Sequence, residues 1–134
     1  MRAVFFQVFD AGMKRNRIVE TAHTHFSKKE SIIFFVEGEK ARDFVDDLLW
    51  KLPTTSFLPH VVSEVPIQEL IVITKSKINL NDAFFAFNLC STPLLLPRLK
   101  IVYEFEDLSA PNKQNLSSLR FSAYKQAEFI LESR

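Results

Sequence analysis

Four segments at the start of the chain constrain its fold more than any other feature. Ala3 to Phe9 is a dense apolar run broken by Gln7, short enough for a strand and rich in the Val and Phe that suit a pleated surface. From about Arg15 to Phe26 the period changes: Ile18, Val19, Ala22 and Phe26 recur at helical spacing, with Glu20, Thr21, His23 and Thr24 pointing outward. Ser31 to Val36 is a second buried strand, and Glu39 to Trp50 a second helix with the stripe Ala41, Phe44, Val45, Leu48 and Leu49. Strand, helix, strand, helix in this order calls for right-handed crossovers. The expected fold class is therefore α/β, with a mainly parallel central sheet flanked by helices.

Further along, Phe57 to Val62 reads as a short extended piece, and Leu70 to Thr74 and Ala83 to Leu89 as strands separated by a polar loop. Pro93 and Pro97 bracket an irregular stretch before a last strand from Lys100 to Phe105. Asp107 to Asn112 carries helix-start signals, with Ser109 or Asn112 as the cap and Pro111 in the first turn. The final helix is expected to reach about Leu131, with Leu116, Leu119, Ala123, Ala127 and Ile130 facing the core and Phe121 and Lys125 almost opposite. A chain of 134 residues reads as one domain.

Charge is nearly balanced, with 17 basic and 16 acidic residues, which argues against strong non-specific nucleic-acid binding. The single Cys90 has no internal disulfide partner, in keeping with a reducing cytoplasm. Met1-Arg2 leads straight into an interrupted apolar run with no cleavage-like segment, and no stretch approaches the ~20 apolar residues that cross a bilayer. A cytoplasmic protein with no membrane partner is expected.

Parallel α/β sheets commonly bind nucleotides through a Gly-rich turn, but Gly12 and Gly38 are the chain's two glycines and neither lies in such a motif. The turn Asp10-Ala11-Gly12 is the one weak candidate. His23 and His25, two apart on a helix, point about 200° from each other and do not share a metal face. No metal, cofactor or catalytic constellation is expected, and surface or capping roles suit the histidines and Cys90. Asp46 and Asp47 belong to a solvated helix face near Arg42.

At Pro53 the second helix must stop, near Lys51 or Leu52. Trp50 and Phe57 stand either side of that break. They either plug the core or stand exposed as anchors for a partner.

Three linked features here carry a resemblance: Glu37-Gly38-Glu39-Lys40-Ala41, the Leu49-Trp50 helix end, and Ser56-Phe57 followed by Pro59-His60. A fourth is the block Arg120-Phe121-Ser122-Ala123-Tyr124-Lys125 with Ala127 and Phe129. Together they resemble the chi subunit of bacterial DNA polymerase III. The resemblance implies a Rossmann-like fold without a nucleotide site, and a non-catalytic accessory role in the clamp loader complex. It also implies two partners. A psi-like subunit would meet Trp50, Phe57, Leu58, Pro59 and His60. The acidic C-terminal tail of single-stranded-DNA-binding protein would meet the last helix, at Lys113, Arg120, Phe121, Tyr124 and Lys125. Gln114, Ser118 and Ser122 stand where well-known members carry basic side chains, which shifts the expected tail contact toward Lys113 and Lys125. The other class of reading is a diverged small α/β enzyme or nucleotide sensor, which needs convergent polar groups in a cleft at the strand ends.

Overall fold

The computed structural model describes residues 1–53 and 57–134. The polar turn expected at 54–56 lies outside them. Ten elements run β1 (Arg2–Val8), α1 (Ala11–Ser27), β2 (Ile32–Phe35), α2 (Glu39–Lys51), β3 (Val61–Val62), β4 (Ile71–Thr74), β5 (Phe85–Asn88), β6 (Ile101–Asp107), α3 (Pro111–Gln126) and β7 (Ile130–Ser133). The strands form one sheet in the order β3-β4-β2-β5-β6-β1-β7, and every pairing is parallel. The α/β, parallel, Rossmann-like arrangement is the one that the alternating strand and helix periods called for.

Side chains alternate across each strand, so the sheet has two apolar faces. Val4, Phe6, Ile32, Phe34, Phe87, Tyr103 and Phe105 pack against Ile18 and Ala22 of α1 and Val45, Leu48 and Leu49 of α2. Ala3, Phe5, Ile33, Phe35, Ala86 and Val102 point the other way, where Tyr124 of α3 and Phe129 meet them. The connections between β4 and β6 complete that second layer with Leu80, Ala83, Cys90, Leu94 and Leu99.

Several expectations about helix faces and ends change. Helix α1 starts at Ala11, because Asp10 is its cap and accepts a 2.8 Å hydrogen bond from the Met13 amide. Thr21 and His25 are on its inner face, not outside. His25 bonds through Nε2 to the Tyr103 hydroxyl at 2.8 Å, and burial outweighs Glu30 in holding its pKa below the ordinary value. Phe44 of α2 faces solvent. Asp46 bonds to His60 and Asp47 pairs with Lys51 at 2.7 Å, so neither serves Arg42.

Helix α3 departs most from the sequence reading. It ends at Gln126, where Glu128 takes a left-handed φ of 64°. The Glu128 amide then bonds to the Lys125 carbonyl, and the Phe129 amide to the Tyr124 carbonyl at 3.0 Å. Phe129 also packs on the Tyr124 ring at 5.0 Å, which completes a Schellman stop without a glycine. The freed chain pairs beside β1 as an edge strand. Neither Ser109 nor Asn112 caps the start: the cap is Ala110, and Ser109 bonds to Asp107 instead.

The buried face of α3 is polar. Ser117, Arg120 and Tyr124 point inward, while Leu116, Leu119 and Ile130, expected in the core, are exposed. The cause is Glu104, a fully buried carboxylate on the α3 side of β6. It accepts from Arg120 Nε at 2.9 Å, from the Tyr124 hydroxyl at 2.5 Å and from Asn88 Nδ2 at 2.7 Å. Arg120 also donates to the carbonyls of Ser91 and Phe105, and the Tyr124 oxygen accepts from the Leu94 amide. Burial pushes the Glu104 carboxyl up to about 7 despite these donors, and it drives the Tyr124 hydroxyl upward as well.

Removing one partner strands a buried charge, a loss of roughly 3–5 kcal/mol. Arg120→Ala is therefore expected to lower the urea-unfolding free energy by about that amount, whereas Leu119→Ala on the open face shifts it by less than about 0.5 kcal/mol. A second expectation concerns acid. Burial alone would raise the Glu64 carboxyl, but donors from Thr74, Lys75 and Ser76 bring it from 4.5 to about 2. Because the folded value is the lower one, its contribution is present above pH 4.5 and fades as pH falls toward 2. Solvent exposure limits it to about 1 kcal/mol. Glu64→Gln should flatten that part of the acid-unfolding curve, as followed by circular dichroism.

Candidate functional site

A different surface lies along each half of helix α2. At its C-terminal end Trp50 and Phe57 pack against each other, ring centres 5.0 Å apart and planes tilted by 42°, at 43 % and 71 % exposure. Beneath them His60 is held by two elements. Its Nδ1 lies 2.8 Å from the Leu58 carbonyl, and its Nε2 lies 2.9 Å from the Asp46 carboxylate of α2. The Trp50 ring rests 4.1 Å from the His60 ring centre. Along the segment Phe57-Leu58-Pro59-His60, burial alternates from residue to residue. Phe57 and Pro59 face out, Leu58 is fully buried, and the His60 side chain is sealed in.

Leu58 and His60 are therefore supports of this surface, in place of the direct contacts expected of them. Leu58 anchors the segment in the core, and His60 sets the height of Trp50. Exposed aromatics held this way need little further ordering on binding.

At the other end of α2 a cleft of about 380 Å³ opens along the C-terminal edge of the sheet. Ile18, Ala41, Phe44 and Leu116 give it an apolar lining. Its polar groups largely satisfy one another. Lys14 pairs with Asp107 at 2.5 Å, Glu37 accepts from the Ser91 amide and hydroxyl, and Arg120 is held by Glu104. Lys14 and Ser109 hold Asp107 below the usual carboxylate range against the opposing effect of its burial. Burial pushes the Cys90 thiol up to about 11, which keeps it protonated and a poor nucleophile. Lys113 has no ion pair among the described residues.

On the opposite side of α3 lies a second groove, of about 360 Å³, formed by Phe5, Gln7, Glu106, Ser117, Ser118, Phe121, Ser122 and Ser133. Phe121 is 37 % exposed and packs edge-on against Phe5 at 5.3 Å. The five residues expected to receive an acidic tail are thus dispersed. Lys113 and Arg120 line the cleft, Phe121 lines the groove, Tyr124 is fully buried, and Lys125 is exposed and lines neither. Sequence reasoning missed Phe44, Leu116 and Lys14 as lining residues. A stripe longer than the core it covers was the available signal for Phe44.

Among the described residues no group of three or more His, Cys, Asp or Glu side chains could hold a metal ion. Nor is any helix among them long and apolar enough to cross a membrane. The one-sheet parallel architecture places the chain among Rossmann-like α/β proteins. Within that class it belongs to the family of the DNA polymerase III chi subunit, HolC, whose model it matches over residues 1–132. Membership gives it an accessory role in DNA replication, as part of the DNA polymerase III complex. No curated protein matches the chain.

The support role of His60 is open to direct measurement. His60→Ala leaves Trp50 without its underlying ring and Asp46 without its partner. Trp50 fluorescence should shift to the red and its quenching by acrylamide should rise, with a loss of about 1–3 kcal/mol in stability.

Proposed function

We propose that the chain is a non-catalytic tether, joining a psi-like subunit at the Trp50 and Phe57 surface to the acidic C-terminal tail of single-stranded-DNA-binding protein near α3. The observation that carries this reading is the solvent-facing pair Trp50 and Phe57, packed ring against ring. Burying such a side chain is worth about 1.5–3 kcal/mol, a gain that folding leaves unrealised here and a partner can realise. Pro59 extends the same patch, while Leu58 and His60 fix its shape. An aromatic pair on a pinned segment suits an apolar helix or strand from a protein partner better than a small polar substrate.

The tail contact is supported by the chemistry around α3. An acidic segment ending in an aromatic residue and a free carboxylate needs an apolar recess flanked by cations. Lys113, Arg120 and Lys125 supply positive charge on or beside that helix, and Phe121 and Leu116 supply apolar surface on its two flanks. In this reading Tyr124 and Arg120 hold the helix in place through Glu104.

Phe57→Ala removes an exposed ring and is expected to weaken capture of a psi-like subunit by tenfold or more in a titration by calorimetry, with melting changed by less than about 2 °C. Unaltered capture would count against the proposed surface. A melting point lowered by many degrees would show that Phe57 serves the fold.

A further inference from the structure

The connections either side of β5 cover the α3 face of the sheet without a helix. Between them lies a recess of about 330 Å³, lined by Lys77, Ile78, Phe84, Leu96, Pro97 and Arg98 among others. From Lys75 to Lys100 the sequence has four basic residues and one acidic, an excess of three positive charges in a chain whose net charge is +1. We propose that this surface binds single-stranded DNA, weakly and without sequence preference, one base stacking on Phe84 and the neighbouring phosphates meeting Lys77, Arg98 and Lys100. The inference needs neither partner of the tether reading.

Charge, ring exposure and backbone conformation together select that ligand. Lys77, Arg98 and Lys100 are exposed, and none has an ion pair among the described residues. A 2.6 Å hydrogen bond to the Thr92 hydroxyl anchors Lys77 and leaves two of its donors for a ligand. Lys100 Nζ lies 4.7 Å from the centre of the Phe84 ring, which is still 46 % exposed and lines the recess. A cation beside an open aromatic ring can take a phosphate and the base next to it together. The backbone is strained at the same place. Of the left-handed non-glycine residues among those described, Lys29 and Glu128 follow helices, whereas Asp82 (φ 51°) and Arg98 (φ 70°) both line this recess. Two hydrogen bonds between Asn79 and Ala83 pin the loop that carries Asp82 and Phe84. A duplex keeps its base faces stacked, so a ring in a small recess calls for an unpaired base. An acidic peptide supplies charge without a flat group beside each charge. Membership of a DNA polymerase III family puts DNA within reach of the surface.

The test is a fluorescence-anisotropy titration of the full chain with a labelled oligothymidylate, and with an abasic strand of the same length for comparison. Three phosphate contacts give a salt slope of about −2, so affinity should fall roughly twentyfold between about 50 and 200 mM salt. Lys77→Gln, Arg98→Asn and Lys100→Gln should each reduce that fall to about sevenfold, Asn being chosen because it tolerates the left-handed backbone. Phe84→Leu keeps apolar bulk but removes the ring. It is expected to weaken oligothymidylate binding about tenfold and to leave the abasic strand within about twofold. Lys40→Gln, in the first turn of α2 on the other side of the sheet, removes the same charge and should leave the slope unchanged. All five substitutions are at exposed positions, and a thermal melt confirms that each variant is folded.

Equal binding of the two strands by the wild type would overturn the proposal, because the ring would then contribute nothing. So would a salt slope that none of the three charge variants changes, or a wild type that fails to bind at about 50 mM salt. Polyglutamate displacing the strand at matched charge would overturn it too, by showing a surface for any polyanion.

Discussion

Glu104 is the constraint around which the second half of the molecule is arranged. A carboxylate placed in mid-strand on a face otherwise lined by Ala3, Phe5 and Val102 cannot be left without donors. Arg120, Tyr124 and Asn88 provide them, and they come from α3 and β5, so the polar group dictates which way α3 must turn. Arg120 then extends the brace to the carbonyls of Ser91 and Phe105. One buried charge thereby fixes a helix, two strands and the loop after β5 relative to one another.

The cost of that arrangement appears on the surface. With its polar side chains turned in, α3 presents Leu116 to the cleft, Phe121 to the groove and Leu119 to open solvent. Helix α2 does the same, with Phe44 near its middle and Trp50 at its C-terminal end. The chain has 14 Phe residues, and while Phe5, Phe6, Phe34, Phe35, Phe87, Phe105 and Phe129 fill the core, Phe9, Phe44, Phe57, Phe84 and Phe121 do not. A chi-family subunit works within a larger complex, and apolar surface of this kind is what association between subunits uses.

The first half of the fold was legible because its signals are local. Strand runs of four to seven residues and helix stripes at three- and four-residue spacing report their own periods, and Pro53 marks the end of α2 as expected. Helix ends without a glycine were not legible. Lys29 and Glu128 both adopt left-handed backbone, at φ 57° and 64°, and nothing in a lysine or glutamate announces that. Reading Ala127 and Ile130 as a continuing stripe followed directly, and β7 was hidden by it. Of the candidate site residues, Trp50, Phe57 and Phe121 face water, whereas Leu58, His60, Arg120 and Tyr124 are built into the fold, a division that residue order alone does not reveal.

Sequence alone determined the parallel α/β plan, the break at Pro53 and the family likeness, since each rests on residue order within a short window. Only the tertiary structure decided which side of α3 faces inward and how its candidate residues divide between two recesses. That decision belongs to Glu104, Arg120 and Tyr124, and the Glu104 and Arg120 charges are 16 residues apart in the chain. Hydrophobic periodicity is blind to such a pair, because a buried ion pair reverses the rule that the apolar face of a helix is the inner one.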